Sequence, residues 1–87
     1  MSVIEKEIKV GRPDGIHARP ASELIRRMKR YQSTIELQYA EKKVDAKSVL
    51  QLMTLAVKQG SVVTAVINGT DAEEALFELE QFLQGNN

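Results

Sequence analysis

Apolar and polar side chains alternate along residues 3–10. The apolar positions are Ile4, Ile8 and Val10. A period of two predicts a β-strand with one buried face, on which Lys6 is the one polar residue. The alternation then stops, and the stretch 11–17 contains two glycines and a proline, which predicts a surface loop.

Spacing of three and four residues replaces this alternation after the loop. The apolar positions are Ala21, Leu24, Ile25 and Met28. They form one stripe of an amphipathic helix that is predicted to begin near Ala18. Pro20 fits in the first turn of that helix, because a missing backbone donor costs little there.

Two short strands are predicted next. The alternating residues Ile35, Leu37 and Tyr39 indicate the second strand, and Val44 marks the third. The connection 40–43 contains no glycine or asparagine, so the type of this turn stays open.

A second helical stripe lies between Ser48 and Gly60. These two residues predict a helix of about three turns that begins after the serine and ends near the glycine. The nearly continuous β-branched run 61–68 predicts a central strand that is apolar on both sides.

The last apolar stripe runs from Ala72 to Leu83 and predicts a third helix, capped by a box of Thr70 and Glu73. The order β-α-β-β-α-β-α favours an α+β fold, an open-faced β-sandwich with three helices on one face of a four-stranded antiparallel sheet. The fourth strand is expected between the first and the second. No linker or repeat divides residues 1–87, which are interpreted as a single domain with a fraying tail.

Composition narrows the class of function. Twelve basic and twelve acidic residues cancel among 87, so no net charge attracts this chain to nucleic acid or anionic lipid, and a protein partner is expected. The chain has no cysteine, which excludes disulfides and thiolate sites and is compatible with the cytoplasm. No segment is apolar enough for a signal peptide or a membrane span, so no membrane insertion is expected.

Charge is uneven along the chain. Residues 19–30 contain five basic side chains and one acidic one, whereas residues 71–87 contain five acidic side chains and no basic one. This pattern predicts an electrostatically two-faced molecule that could orient an acidic partner.

The candidate chemistry lies in the segment 15–21, which ends the first loop and opens the first helix. It contains His17, the only histidine. The first turn of a helix favours an anion by roughly 0.3–1 kcal/mol, and it also favours a neutral imidazole with a free nucleophilic nitrogen. Arg19 can add forked donors to phosphate oxygens.

Other interpretations of His17 stay open on the residues alone. A lone histidine near a helix start is commonly a cap or a solvated side chain. A zinc site or any other metal site is disfavoured, because there is no second histidine and no cysteine. A hydrolytic triad lacks a second base, and no pattern indicates a cofactor.

The segment Gly-Ile-His-Ala-Arg-Pro-Ala resembles the active-site signature of the HPr family, the phosphocarriers of the bacterial phosphoenolpyruvate:sugar phosphotransferase system. The resemblance extends through Lys47-Ser48 and the apolar residues after it, the turn 58–60 and the last helix 69–83, and so covers nearly the whole chain.

This resemblance implies that His17 accepts a phosphoryl group on Nδ1 from phosphorylated enzyme I and passes it to a histidine of a sugar-specific enzyme IIA. Arg19 would stabilise the phosphoryl group. The chain would be a carrier and not an enzyme, with no cofactor, and a monomer is expected because no exposed strand demands assembly.

In Gram-positive relatives, the serine that matches Ser48 is phosphorylated by HPr kinase/phosphorylase, and that form acts with catabolite control protein A. The resemblance makes Ser48 a regulatory candidate, although a serine at a helix start is most often only an N-cap. The resemblance also implies partner docking here, for which Pro20, Val49, Leu50 and Met53 are the candidates.

Three departures from the family pattern stand out. Gln51 replaces a common glycine, Arg12-Pro13-Asp14 is an unusual approach to the histidine, and the turn 40–43 lacks glycine.

Two alternatives to a carrier are a regulatory paralogue acting through phosphorylated Ser48 and a module that binds another anion. The regulatory paralogue Crh has glutamine at the position of His17, so histidine counts against the first alternative.

Overall fold

The chain folds in the predicted order, and the computed structural model describes residues 2–16 and 18–85. The elements are β1 (Ser2–Lys9), α1 (Ala18–Met28), β2 (Thr34–Tyr39), β3 (Lys42–Asp45), α2 (Val49–Thr54), β4 (Val62–Gly69) and α3 (Ala72–Gln84). The α+β class and the open-faced sandwich are confirmed. His17 and the tail residues 86–87, for which fraying was predicted, lie outside the described residues.

The sheet has the order β1-β4-β2-β3, and every neighbouring pair is antiparallel. The predicted insertion of β4 between β1 and β2 is therefore confirmed. Burial along β4 alternates, however, because Val63, Ala65 and Ile67 are fully buried whereas Val62 is 49% exposed. Helices cover only one face of the sheet, so the other side of β4, although it also carries apolar residues, is only partly buried.

The buried face of the sheet forms one core with the helices. Its largest fully buried side chains include Ile8, Leu24, Met28, Leu37, Leu52, Ile67, Leu79, Phe82 and Leu83. Lys6, the polar exception on the inner side of β1, forms an ion pair of 2.7 Å with Glu80 of α3. A lysine is tolerated at this position because its ammonium group has a carboxylate partner at the rim of the core.

Helix α2 is shorter than predicted. It ends at Thr54, because Leu55 is the C-cap and Ala56 has a left-handed φ of 53°. Leu55 and Val57 are both buried, and the backbone reversal at Ala56 carries them into the core from an irregular segment. Their spacing therefore mimics a continuing helix, and Gly60 lies in a later turn and not at the helix end.

The predicted capping box of Thr70 and Glu73 is wrong. The N-cap of α3 is Asp71, which makes no side-chain cap bond among the described residues. Its carboxylate instead accepts hydrogen bonds from the Gln32 N–H at 2.8 Å, the Ser33 N–H at 3.0 Å and the Ser33 hydroxyl. Three bonds to the α1–β2 loop satisfy more donors than one bond within the helix would.

These bonds hold the pKa of Asp71 below its ordinary value, with the Ser33 hydroxyl contributing most and the Gln32 N–H next. A lowered folded pKa stabilises the protein fully above the unfolded pKa of about 3.9, and this stabilisation is lost as pH falls through the folded value. Asp71→Asn is therefore expected to lower the urea midpoint at pH 7, and to approach wild type at pH 2–3.

Glu73→Gln, on the exposed side of the same helix, is the control for this measurement. If the difference in urea midpoint between wild type and Asp71→Asn stays constant from pH 7 to pH 2, the predicted pH dependence is contradicted.

Candidate functional site

The loop before α1 is held from two sides. On one side the Gly11 N–H donates to the Leu83 carbonyl at 2.8 Å. On the other side the Ile16 N–H donates to the Val57 carbonyl at 3.1 Å, and the Ile16 side chain is buried. The loop therefore has a defined course up to the residue that precedes His17, which is itself outside the described part of the chain.

Gly15 is required by this course. Its φ is +60°, and a Cβ added there would lie 2.4 Å from the Val57 carbonyl oxygen. Gly15 also donates its N–H to the Arg12 carbonyl at 3.1 Å, which closes the turn. The left-handed backbone disfavours a side chain here, and the close approach leaves no room for one.

We expect Gly15→Ala to destabilise the protein by at least about 1–2 kcal/mol, the cost of a left-handed non-glycine residue, because the clash with Val57 adds to it. Gly60→Ala is the matched control: its φ is +90°, but within the described residues an added Cβ meets no atom within 4 Å. Urea unfolding should show the larger loss for Gly15→Ala. An equal loss of unfolding free energy in the two variants would contradict the close packing of Gly15 against Val57.

Helix α1 begins at Ala18, as predicted, and Pro20 lies buried in its first turn. The predicted phosphate ligand Arg19 is exposed, and no residue of the first turn is acidic. The first turn of this eleven-residue helix thus holds no carboxylate that would oppose its positive end. This end of α1 is suited to an anion.

A depression of about 220 Å³ lies beside this helix start. Its lining residues are Arg12, Asp14, Arg19, Pro20, Glu23, Arg27 and Phe82. The structure thus brings Arg19 and Pro20 together with two arginines, at positions 12 and 27, whose place beside the site was not predicted. Only the unusual sequence of the loop had pointed to Arg12.

Charges on α1 and α3 neutralise one another. Glu78 of α3 pairs with Arg30 and lies 4.0 Å from Arg27, and the Tyr31 hydroxyl donates to the same carboxylate. This hydrogen bond, with burial, raises the pKa of Tyr31 to about 12. The basic segment and the acidic helix are therefore neighbours, and Glu78 partly neutralises the basic segment.

Within α1, Glu23 accepts hydrogen bonds from Arg26 at 2.6 Å and from Arg27 at 3.2 Å. The two arginines, Arg26 first, hold the pKa of Glu23 below its ordinary value. Much of the positive charge of α1 is thus already paired, whereas Arg19 forms no ion pair with another described residue.

Ser48 is the N-cap of α2, and its half-buried side chain accepts the Gln51 N–H at 3.4 Å. The Gln51 side-chain oxygen in turn accepts the Asp45 N–H at 2.9 Å. Gln51, the departure from the family pattern, therefore ties α2 to β3. Ser48 therefore caps α2 through one bond, without the reciprocal bond of a capping box.

The predicted docking residues on α2 differ in exposure. Leu50 is 80% exposed and Met53 is 44% exposed, whereas Val49 packs partly against the core. Both exposed side chains are available to a partner. Val3 and Phe77, each 65% exposed, are further large apolar side chains at the surface, and both lie outside the apolar stripes that predicted β1 and α3.

The described ranges 2–16 and 18–85 contain neither of two further kinds of site. No group of three or more histidine, cysteine or carboxylate side chains there is placed to hold a metal ion. No helix in those ranges has the length and hydrophobicity needed to cross a membrane.

Comparison with known sequences finds one family. A family model described as the PTS HPr component phosphorylation site matches residues 4–85. The phosphocarrier protein HPr of Lysinibacillus sphaericus is 44% identical over 71 residues, which cover 82% of this chain and 81% of that protein. The HPr-like protein Crh of Halalkalibacterium halodurans is 37% identical over 82 residues, covering 94% of this chain and 98% of Crh.

One relative is much longer than this chain. DhaM of Providencia stuartii, the phosphoryl donor subunit of a PEP-dependent dihydroxyacetone kinase, is 39% identical over 77 residues. The match covers 88% of this chain but only 16% of DhaM. The chain therefore corresponds to one segment of that protein.

Solved structures agree in fold. HPr from Bacillus anthracis str. Ames matches with a TM-score of 0.91 at 34% identity, over 95% of this chain and 99% of that one. Crh from Bacillus subtilis, described as a domain-swapped dimer, matches with a TM-score of 0.77 at 36% identity, over 94% of each chain. Since sequence and fold agree over nearly its full length, the chain belongs to the HPr family of phosphotransferase-system phosphocarriers.

Proposed function

We propose that His17 accepts a phosphoryl group on Nδ1 from phosphorylated enzyme I and passes it to a histidine of a sugar-specific enzyme IIA. The observation that carries this proposal is the loop 11–16, which leads into the open, non-acidic start of α1. An anion bound there gains the unpaired N–H groups of the first turn. Exposed Arg19 supplies further donors to the phosphoryl oxygens.

The transfer has a simple balance. The neutral ring nitrogen of His17 attacks phosphorus, the P–N bond to the enzyme I histidine breaks, and that histidine keeps the bonding electron pair. In a second exchange of the same kind, the enzyme IIA histidine attacks phosphorus, the P–N bond to His17 breaks, and His17 keeps the bonding electron pair. The carrier supplies a positioned nucleophile and an anion site, and its partners lower the barrier, so it is not an enzyme by itself.

We further propose that residues 1–87 act as a single, monomeric domain in the cytoplasm. The proposed docking surface for enzyme I and enzyme IIA consists of Val49, Leu50, Met53 and Pro20. The exposed side chains of Leu50 and Met53 support this role, whereas Pro20 is buried. Methionine adapts to partners of different shape.

Ser48 is the proposed regulatory site, phosphorylated by HPr kinase/phosphorylase and then recognised by catabolite control protein A. Its position next to Val49 and Leu50 supports this proposal. A phosphoryl group adds about −1.5 to −2 charges beside the docking surface, which opposes an acidic partner. The alternative is a Crh-like regulator that acts through phosphorylated Ser48 alone, which the Crh relatives favour and His17 disfavours.

Two phosphorylation reactions test the proposal. The protein is incubated with phosphoenolpyruvate and enzyme I, and separately with ATP and HPr kinase, and intact mass reports each added phosphoryl group. Acid lability distinguishes phosphohistidine from phosphoserine. We expect one acid-labile group from the first reaction. Failure of this labelling would overturn the proposed carrier function. Labelling by HPr kinase alone would support the Crh-like regulator.

A further inference from the structure

A cation–π contact joins the loop before His17 to the end of α3. The Arg12 guanidinium carbon lies 4.2 Å from the centre of the Phe82 ring, and Nη1 donates to the Phe82 carbonyl at 3.2 Å. The same guanidinium pairs with Asp14 at 3.3 Å. One side chain therefore contacts a ring, a carbonyl and a carboxylate.

The α3 side of this contact is a rigid anchor. Phe82 is 1% exposed, and its carbonyl lies in the last turn of the helix, where the dipole favours a cation. Gly11, next to Arg12, approaches the same helix end so closely that an added Cβ would lie 2.5 Å from the Gln84 carbonyl oxygen. The pair Gly11-Arg12 thus fastens the loop to a fixed part of the core.

The backbone transmits this anchoring toward His17. The Arg12 carbonyl accepts the Gly15 N–H at 3.1 Å, and the next residue, Ile16, bonds to Val57. The loop is therefore held between α3 and the α2–β4 connection, with Arg12 at the α3 end. The Arg12 side chain is only 19% exposed, and its Nε and Nη1 groups already have protein partners.

We propose that Arg12 is a positioning residue for phosphoryl transfer, which fixes the loop and thereby the attack geometry of His17. This inference rests on the proposed carrier function. Since Arg12 is engaged with Phe82 and Asp14, it acts through the loop and not by contact with the phosphoryl group. A misplacement of about 1 Å in a reacting group can reduce a rate about 100-fold.

Single-turnover transfer from phosphorylated enzyme I tests this role. We expect Arg12→Ala to lower the saturating rate at least about tenfold, with the half-saturating concentration of enzyme I unchanged within about twofold. Arg12→Lys keeps a donor and the charge but loses the planar contact with the ring, so it should recover part of the rate.

Lys6→Ala is the matched control, because it also removes one cation that pairs with a carboxylate of α3, but outside the loop. It should leave the saturating rate unchanged. Amide exchange of Ile16, measured without any partner, should accelerate in Arg12→Ala and not in Lys6→Ala.

An unchanged saturating rate in Arg12→Ala, or a change in half-saturation alone, would overturn the positioning role. If Arg12→Ala does not fold, Arg12→Lys decides the matter by the same two criteria. Wild type that accepts no phosphoryl group at all would overturn the proposed carrier function, and the Ile16 exchange would then report separately whether Arg12 anchors the loop.

Discussion

Replacement of His17 by alanine is expected to abolish labelling by phosphoenolpyruvate and enzyme I. His17 is the only histidine among 87 residues, so the variant has no other imidazole that could accept the group. Intact mass after incubation should show the unmodified chain alone, at every concentration of enzyme I.

The kinase reaction provides the internal control for this variant. His17→Ala should still gain one acid-stable group at Ser48 from ATP and HPr kinase, which shows that the protein is folded and recognised. Arg19→Ala keeps the acceptor and should be labelled more slowly. Labelling of His17→Ala equal to that of wild type would refute His17 as the acceptor.

A charge introduced into the proposed docking surface is expected to cause the second largest loss of phosphoryl transfer. Leu50 is 80% exposed, so Leu50→Glu should change the free energy of unfolding by no more than about 0.5 kcal/mol. An apolar hot-spot residue is worth about 2 kcal/mol or more in binding, which corresponds to about 30-fold. We therefore expect kcat/KM for transfer from enzyme I to fall at least about 30-fold.

The matched control is Phe77→Glu, which places the same charge on another exposed apolar position. Phe77 lies on α3 beside Tyr31 and Glu78 and outside the proposed surface. Its variant should transfer phosphoryl groups at the wild-type rate. Equal losses in the two variants would indicate a general effect of charge and would refute a docking surface at Leu50.

Local patterning was sufficient to predict the elements and their arrangement. Periods of two and of three to four residues indicated each strand and helix, because one face of every element is buried in a single core. The β-branched run 61–68 indicated the central strand, which pairs on both edges. The motif around His17 pointed to the site, since its chemistry lies in contiguous residues.

Patterning could not show where α2 ends. Leu55 and Val57 are buried from an irregular segment, and their spacing resembles a helical stripe. The backbone turns left-handed at Ala56, and the Val57 carbonyl then accepts the N–H of Ile16, which is distant in sequence. An apolar pattern reports which side chains are buried, and a helix and an irregular segment can bury side chains at the same spacing.

The sequence by itself thus determined the order of elements, the sheet topology and the segment that carries the chemistry, because hydrophobic periodicity and motif spacing are local. Only the tertiary structure decided that the Asp71 carboxylate accepts hydrogen bonds from the loop containing Ser33, and that Arg12 lies over the ring of Phe82, 70 positions away. Hydrogen bonds and cation–π contacts depend on which surfaces meet after the core has packed. No local pattern in the chain specifies those distant partners.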